Sequence, residues 1–295
     1  MGLRSNPSQR QRRLGAELRR LRELSGMSAT DAGALAGLGR AHMSHIEMGR
    51  TAIPEEKLRT LADAYGCNSQ TLIDALVAMG RATGKGWWLD FRPTLLDTAL
   101  DFAELESTAD AIKTFGLTFI PGLLQTPAYT RALLASGSPD APPDVFERYA
   151  EFRQRRGRIL LGESPPQYQT VIHETALRLS FVGVDVLRQQ IEHLLELARL
   201  PHIRIQIMSF AAPMIPASSN SFVLYEPGVP ELGTVHVEHP VSVTFLTEPQ
   251  YLSQYTAAFE QLSTTALSPL DPKPDITSCT RRDSLGLIQH ALYTL

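Results

Sequence analysis

GMSATDAGALAGLGRAHMSHIEMGR, residues 26–50, decides how the chain is read. Ser28 is placed to cap a helix that runs to about Ala36, and Gly37 interrupts it before Leu38. A second helix then starts from Gly39 and stops at Gly49, with Arg40, Ala41, Ser44 and His45 on one side and Met43 and Ile46 on the other. One side is for packing and the other is free to read. Two helices joined by a tight turn suit B-DNA, whose major groove, about 12 Å wide, admits one helix and is read by that helix's N-terminal residues. Base or phosphate contact is therefore expected of Arg40, Ala41, Ser44 and His45. His42 either joins them or packs against the turn.

Upstream, residues 1–11 mix Ser, Asn, Pro, Gln and Arg without a period and read as a flexible basic arm. Leu14, Leu18 and Leu21 recur at i, i+4 and i+7, which makes one helix face apolar, while Arg13, Arg19 and Arg20 occupy the other. Gly26 ends this helix. Downstream, Pro54 opens a fourth helix with Glu55 and Glu56 in its first turn, and Asn68 caps a fifth. Residues 12–80 thus form an all-α DNA-binding domain of five helices. Residues 1–50 carry nine arginines against four carboxylates, a net of +5 in a chain whose total is −3. A basic end on an acidic body is the electrostatic footprint of a nucleic-acid-binding domain joined to something else. The arm and first helix, Arg13 included, are expected to dock on phosphates, with Thr30 of the second helix in the contact set.

Residues 26–50 resemble the helix-turn-helix of the xenobiotic-response-element family, which includes the lambda repressor and Cro DNA-binding domains. Met43, Ser44, Ile46, Glu47, Gly49 and Arg50 are the most specific part of the likeness, which covers about residues 12–80. The resemblance implies base reading from Arg40, Ala41 and His45, phosphate contact from Arg50, and an ion pair between Arg22 and Glu47. It also implies a homodimer on paired half-sites. Ala29, where the family usually has a glutamine, and Met48, where a polar residue is common, depart from the pattern.

The run RATGKG, residues 81–86, reads as a linker, and residues 87–270 as an α+β regulatory or partner-binding domain. Residues 88–160 look helical around the loop at IPGLLQTPAY. HIRIQIMS, SFVLYE, TVHVEH and VSVTFL are short β-rich runs and predict a small antiparallel sheet, preceded by a helix at 185–200 and followed by another near 248–265. Residues 271–295 form a Pro-rich tail in which LGLIQHAL ends as a docked helix. WWLDF, IPGLLQTPAYTRAL, RQRR and IHETALR, in that order, resemble the domain of unknown function in actinobacterial regulators of the WhiJ-like, antitoxin-like group. That implies control by a small protein partner or a small-molecule effector. The alternative is an interaction protein that sequesters a partner and uses DNA binding for autoregulation.

Trp87 and Trp88 read as core or interface anchors; with Gln125, Tyr129 and Arg153 they make a candidate partner or ligand region. Arg153, Arg155 and Arg156 read first as a solvated helix face, and otherwise as a site for an anion or an acidic partner. His236 and His239 sit three apart on a strand and point to opposite faces, which argues against a shared metal. No nucleophile elbow, HExxH or complete phosphate loop accompanies His173 and Glu174, so no enzyme, no cofactor and no metal is expected. Cys67 and Cys279 lack CxxC spacing and suggest reduced thiols in a cytoplasm. No apolar run approaches the roughly 20 residues that cross a bilayer, and no signal peptide or membrane partner is expected.

Overall fold

The computed structural model describes residues 3–137, 142–213, 219–239, 242–271 and 283–295. They divide into two compact units, Met1–Leu105 with Gly228–Leu232, and Glu106–Pro227 with Gly233–Leu295.

The first unit holds α1 (Gln9–Leu24), α2 (Ala29–Leu35), α3 (Arg40–Glu47), α4 (Glu55–Ala64), α5 (Gln70–Arg81), a 3-10 turn at Trp87–Phe91 and α6 (Asp97–Glu106) as far as Leu105. Leu14, Leu18 and Leu21 turn inward from α1 onto Met43 and Ile46 of α3, Leu58 and Leu61 of α4 and Leu72 and Leu76 of α5. Each such side chain contributes about 1.5–3 kcal/mol by leaving water. Ser28 caps α2 by accepting from the Asp31 N–H at 3.2 Å. Ser69, rather than Asn68, caps α5 through the Leu72 N–H at 3.3 Å.

Two expectations about this unit are corrected. The basic arm is not free, because α1 already starts at Gln9 and the residues before it are tied down. The Gln9 N–H donates to Asp101 at 2.9 Å, Arg10 pairs with Glu104 at 2.7 Å, and Asn6 bonds Asp97 at 2.5 Å, all on α6. The Gly-rich run at 81–86 does not end the unit either, since Trp88 and Phe91 beyond it are buried and α6 packs against the arm. Trp87 stands edge-on to both Trp88 and Phe91, with ring centroids 6.0 and 5.8 Å away.

The second unit runs β1 (Ala111–Gly116), α7 (Pro127–Gly137), α8 (Pro143–Gly157), β2 (Gln167–His173), α9 (Val184–Leu197), β3 (Ile203–Met208), β4 (Phe222–Glu226), β5 (Thr234–His239), β6 (Ser242–Leu246), α10 (Pro249–Thr265) and α11 (Ser284–Thr294). Its sheet has six strands in the order β3-β2-β1-β4-β5-β6. The small antiparallel sheet is therefore a correction: β1, β2 and β3 pair in parallel, with Thr114 opposite Thr170 and Thr170 opposite Ile205, and only β4, β5 and β6 add antiparallel. Parallel neighbours need crossovers, which α7 with α8 and then α9 supply.

One face of the sheet, carrying Phe115, Val171, Phe222, Leu224 and Val235, is sealed by Phe259 and Leu262 of α10. The edge of β3 is covered by residues 267–270, whose Leu267 and Leu270 N–H groups bond Ile207 and Ile205 carbonyls at 2.9 and 2.8 Å. Ser284, at the start of α11, accepts from the Ile207 N–H at 2.9 Å, which docks the last helix on the same edge. Residues 272–282 of the Pro-rich tail lie outside the described residues, as does Cys279; Cys67 is a free thiol.

Candidate nucleic-acid interface

The α2–turn–α3 unit is pinned against α1 by close backbone approach. A Cβ on Gly15 would stand 2.4 Å from the Glu47 carbonyl and 2.6 Å from that of Ile46, so only glycine lets α1 and the end of α3 touch. Gly49, at φ +72°, turns the chain away from α3 where a Cβ would lie 2.7 Å from the backbone of Gln11. Arg22 adds the polar lock. Its Nε and Nη2 donate to the two oxygens of Glu47 at 2.6 and 3.0 Å, and its Nη1 donates to the Met27 carbonyl at 2.9 Å. The hydrogen bonds to Glu47 hold the Arg22 pKa above its ordinary value. Tyr65 lies beneath the pair, its hydroxyl pushed up to about 12 by burial and then by the charge of Glu47.

With α3 held this way, Met43 and Ile46 are buried and Arg40, Ala41, His42 and Arg50 are exposed, as is Thr30 on α2. Ser44 and His45 are half-buried, and the Nδ1 of His45 is enclosed without a partner. His42 does not pack into the turn. It lines a pocket of about 450 Å³ beside α3 with His45, Leu38, Lys57 and the arm residue Leu3.

Charge pairing divides the cations of this unit in two. Arg10, Arg13, Arg19, Arg20, Arg22, Arg59 and Arg81 are each held by a carboxylate. Arg4, Arg40, Arg50 and Lys57, like Arg12 and Lys85, form no salt bridge among the described residues, and the first four flank α3. Arg4 lies along the loop after α3, its N–H donating to the Arg50 carbonyl at 2.9 Å and its Nη1 to that of Gly49 at 3.2 Å. Sequence reasoning had Arg4 only as part of the arm and missed Lys57; the approach of both to α3 depends on tertiary folding. It misplaced Arg13, which is 2% exposed, bonds Glu17 at 3.1 Å and donates to the Glu231 carbonyl. The expected phosphate contact from Arg13 is withdrawn.

Residues 13–76 match a helix-turn-helix domain, and residues 99–272 match a domain of unknown function (DUF5753). The chain belongs to the DUF5753 family. No curated protein and no solved structure matches it. A helix-turn-helix ahead of the second unit makes this DUF5753 protein a DNA-binding regulator.

The candidate partner or ligand residues fall in different units. Trp87 and Trp88 belong to the first unit, whereas Gln125, Tyr129 and Arg153 meet in the second. Gln125 donates through Nε2 to the Ile120 carbonyl at 2.7 Å, and its Oε1 accepts from Thr130 and Arg153 at 3.2 Å each. The hydroxyl of Tyr129, fully buried, accepts from the Ile120 N–H at 3.3 Å. One turn after Arg153 on α8, Arg156 grips Glu106 through Nε and Nη2 at 2.5–3.2 Å. Burial opposes the Arg156 charge, but the Glu106 carboxylate outweighs it and raises the pKa. His236, on β5, is pushed down to about 3 by burial, then by Arg156 and His239. Among the described residues no group of three or more metal-ligating side chains converges, and no helix is long and apolar enough to cross a membrane.

Proposed function

We propose that the chain is a sequence-specific transcriptional regulator of the xenobiotic-response-element type. It lays α3 in the major groove, reads bases from Arg40, Ala41 and His42 with Ser44 and the open edge of His45, and grips phosphates with Arg4, Arg50 and Lys57. Thr30 contacts the backbone beside the groove. The observation that carries this reading is the unneutralised set of cations around α3, in a unit whose other arginines, Arg12 apart, are paired with carboxylates. Charge left free along one helix is what a polyanion releases its counterions to meet. Two copies on half-sites about 34 Å apart would act together. The second unit serves as the sensing part, taking an effector or a partner rather than performing a reaction.

Gel shifts on a panel of operator variants at fixed salt test the assignment. Arg40→Ala is expected to weaken binding by about 1–3 kcal/mol and to relax preference at one base pair, while Arg50→Ala weakens every sequence alike. Equal losses on all sequences for both variants would remove the base-reading role.

A further inference from the structure

We propose that Arg153 anchors an oxyanion-binding site in the second unit, built for the carboxylate or phosphate group of a small molecule. The site deepens the sensing role given to this unit above and rests on that reading only for its consequence at DNA.

Three observations carry it. First, Arg153 is half-buried on α8, yet no carboxylate lies within salt-bridge distance of it among the described residues. The other arginines of α7 and α8 whose pairs are described, Arg131, Arg148 and Arg156, each hold a glutamate. Second, its one hydrogen bond runs from Nη1 to Gln125 Oε1 at 3.2 Å. A guanidinium has five N–H donors in a planar fork. None of the Arg153 nitrogens is among the side-chain atoms sealed from solvent without a partner, so its unused donors keep some contact with solvent. Third, the fork is held in place. Gln125 is fixed by Ile120 and Thr130, and Gln154 donates to the Gln125 carbonyl at 3.3 Å and to Thr130 Oγ1 at 3.2 Å.

Burial, and then the charge of Arg156 one turn away, pull the Arg153 pKa down to about 10, against a smaller opposing pull from the carboxylates of Glu238 and Glu106, neither of which pairs with it. A half-buried cation without a paired carboxylate is a place where a bound anion is stabilising. An incoming oxyanion would bind through two parallel N–H contacts, the geometry that arginine offers to carboxylate and phosphate alike. A purely structural Arg153, present to orient Gln125, makes the opposite prediction for its removal.

The test uses the full chain. Thermal unfolding is followed in sodium chloride, sodium acetate and sodium phosphate at one ionic strength, for the parent protein, Arg153→Gln and Arg153→Lys. The parent is expected to gain Tm saturably with acetate or with phosphate over chloride, and which of the two acts tells a carboxylate site from a phosphate site. Arg153→Gln is expected to lose the increment while melting no lower than the parent in chloride; Arg153→Lys keeps the charge, loses the fork and needs about tenfold more anion. Phenylglyoxal labelling of the unaltered protein, read by peptide mass spectrometry, gives a second measure that needs no variant to fold: the effective anion should protect Arg153. The proposal is overturned if neither anion gives a saturable gain, if Arg153→Gln gains as much as the parent, or if labelling of Arg153 is indifferent to anions. None of these readouts involves DNA, so a failure of the sensing role and a failure of the anion site are told apart.

Discussion

Arg22 and Glu47 meet through two side-by-side contacts, Nε to Oε1 at 2.6 Å and Nη2 to Oε2 at 3.0 Å, with side chains only 12% and 8% exposed. The pair joins α1 to the last turn of α3. Removing one partner strands a charge in a nearly dry place. Arg22→Leu alone is therefore expected to lower stability by about 3 kcal/mol in denaturant titration, and Arg22→Leu with Glu47→Leu to recover most of that loss. The double variant should still bind DNA less selectively, because the pose of α3 is no longer fixed by the fork.

Gly15→Ala sets helix propensity against packing. Alanine favours a helix interior by about 1 kcal/mol over glycine. The added Cβ would meet the Glu47 carbonyl at 2.4 Å, backbone that cannot swing aside. Overpacking of this kind costs about 1–3 kcal/mol, so the clash is expected to win: a lower Tm, and weaker DNA retention as α3 is levered off α1.

Salt dependence separates the two classes of cation. Lys57→Ala and Arg4→Ala should each reduce the slope of log K against log salt by about 1, the signature of one lost phosphate contact. Arg13→Ala should leave that slope unchanged and instead destabilise the fold, since Arg13 serves Glu17 and the Glu231 carbonyl. A reduced slope for Arg13→Ala would reverse the correction made above.

Asp101 and His236 respond to acid in opposite senses. Burial pushes Asp101 up to about 6, against an unfolded value of about 3.9. Between those values the folded chain keeps a proton that the unfolded chain releases, so this group's contribution falls as pH rises, by about 2–3 kcal/mol over the window. His236, pushed down to about 3 from about 6.5, behaves the other way. The unfolded chain takes the proton first, and about 2 kcal/mol is lost on going from pH 7 to pH 5. Relative to the parent, Asp101→Asn should gain stability as pH climbs from 4 to 7, and His236→Gln as pH drops from 7 to 5. Denaturation of each variant across that range checks both signs.

The features written in local periodicity were readable. Leu14, Leu18 and Leu21 announced α1, Ser28 announced the start of α2, and the alternating isoleucines at 203, 205 and 207 announced β3. What escaped was set by distant partners. AIKTFG mixes lysine and threonine with apolar residues and shows no clean alternation, yet as β1 it lies between β2 and β4 with neighbours on both edges. Arg10 and Arg13 look like surface cations until Glu104 and the Glu231 carbonyl, 94 and 218 residues further on, are brought to them. Arg40 and Arg50 were legible at the interface because the helix that presents them is local; Lys57 was not, because it reaches the interface from α4, and Arg4 was read only as part of a free arm.

Val229 and Leu232, from the connection between β4 and β5, complete the apolar interior of the first unit. A ribosome must therefore translate past residue 232 before that interior is complete. During synthesis the half that meets DNA waits, unfinished, on a strand pair encoded far downstream, and a message truncated after α6 yields a reader with a hollow where those two side chains belong.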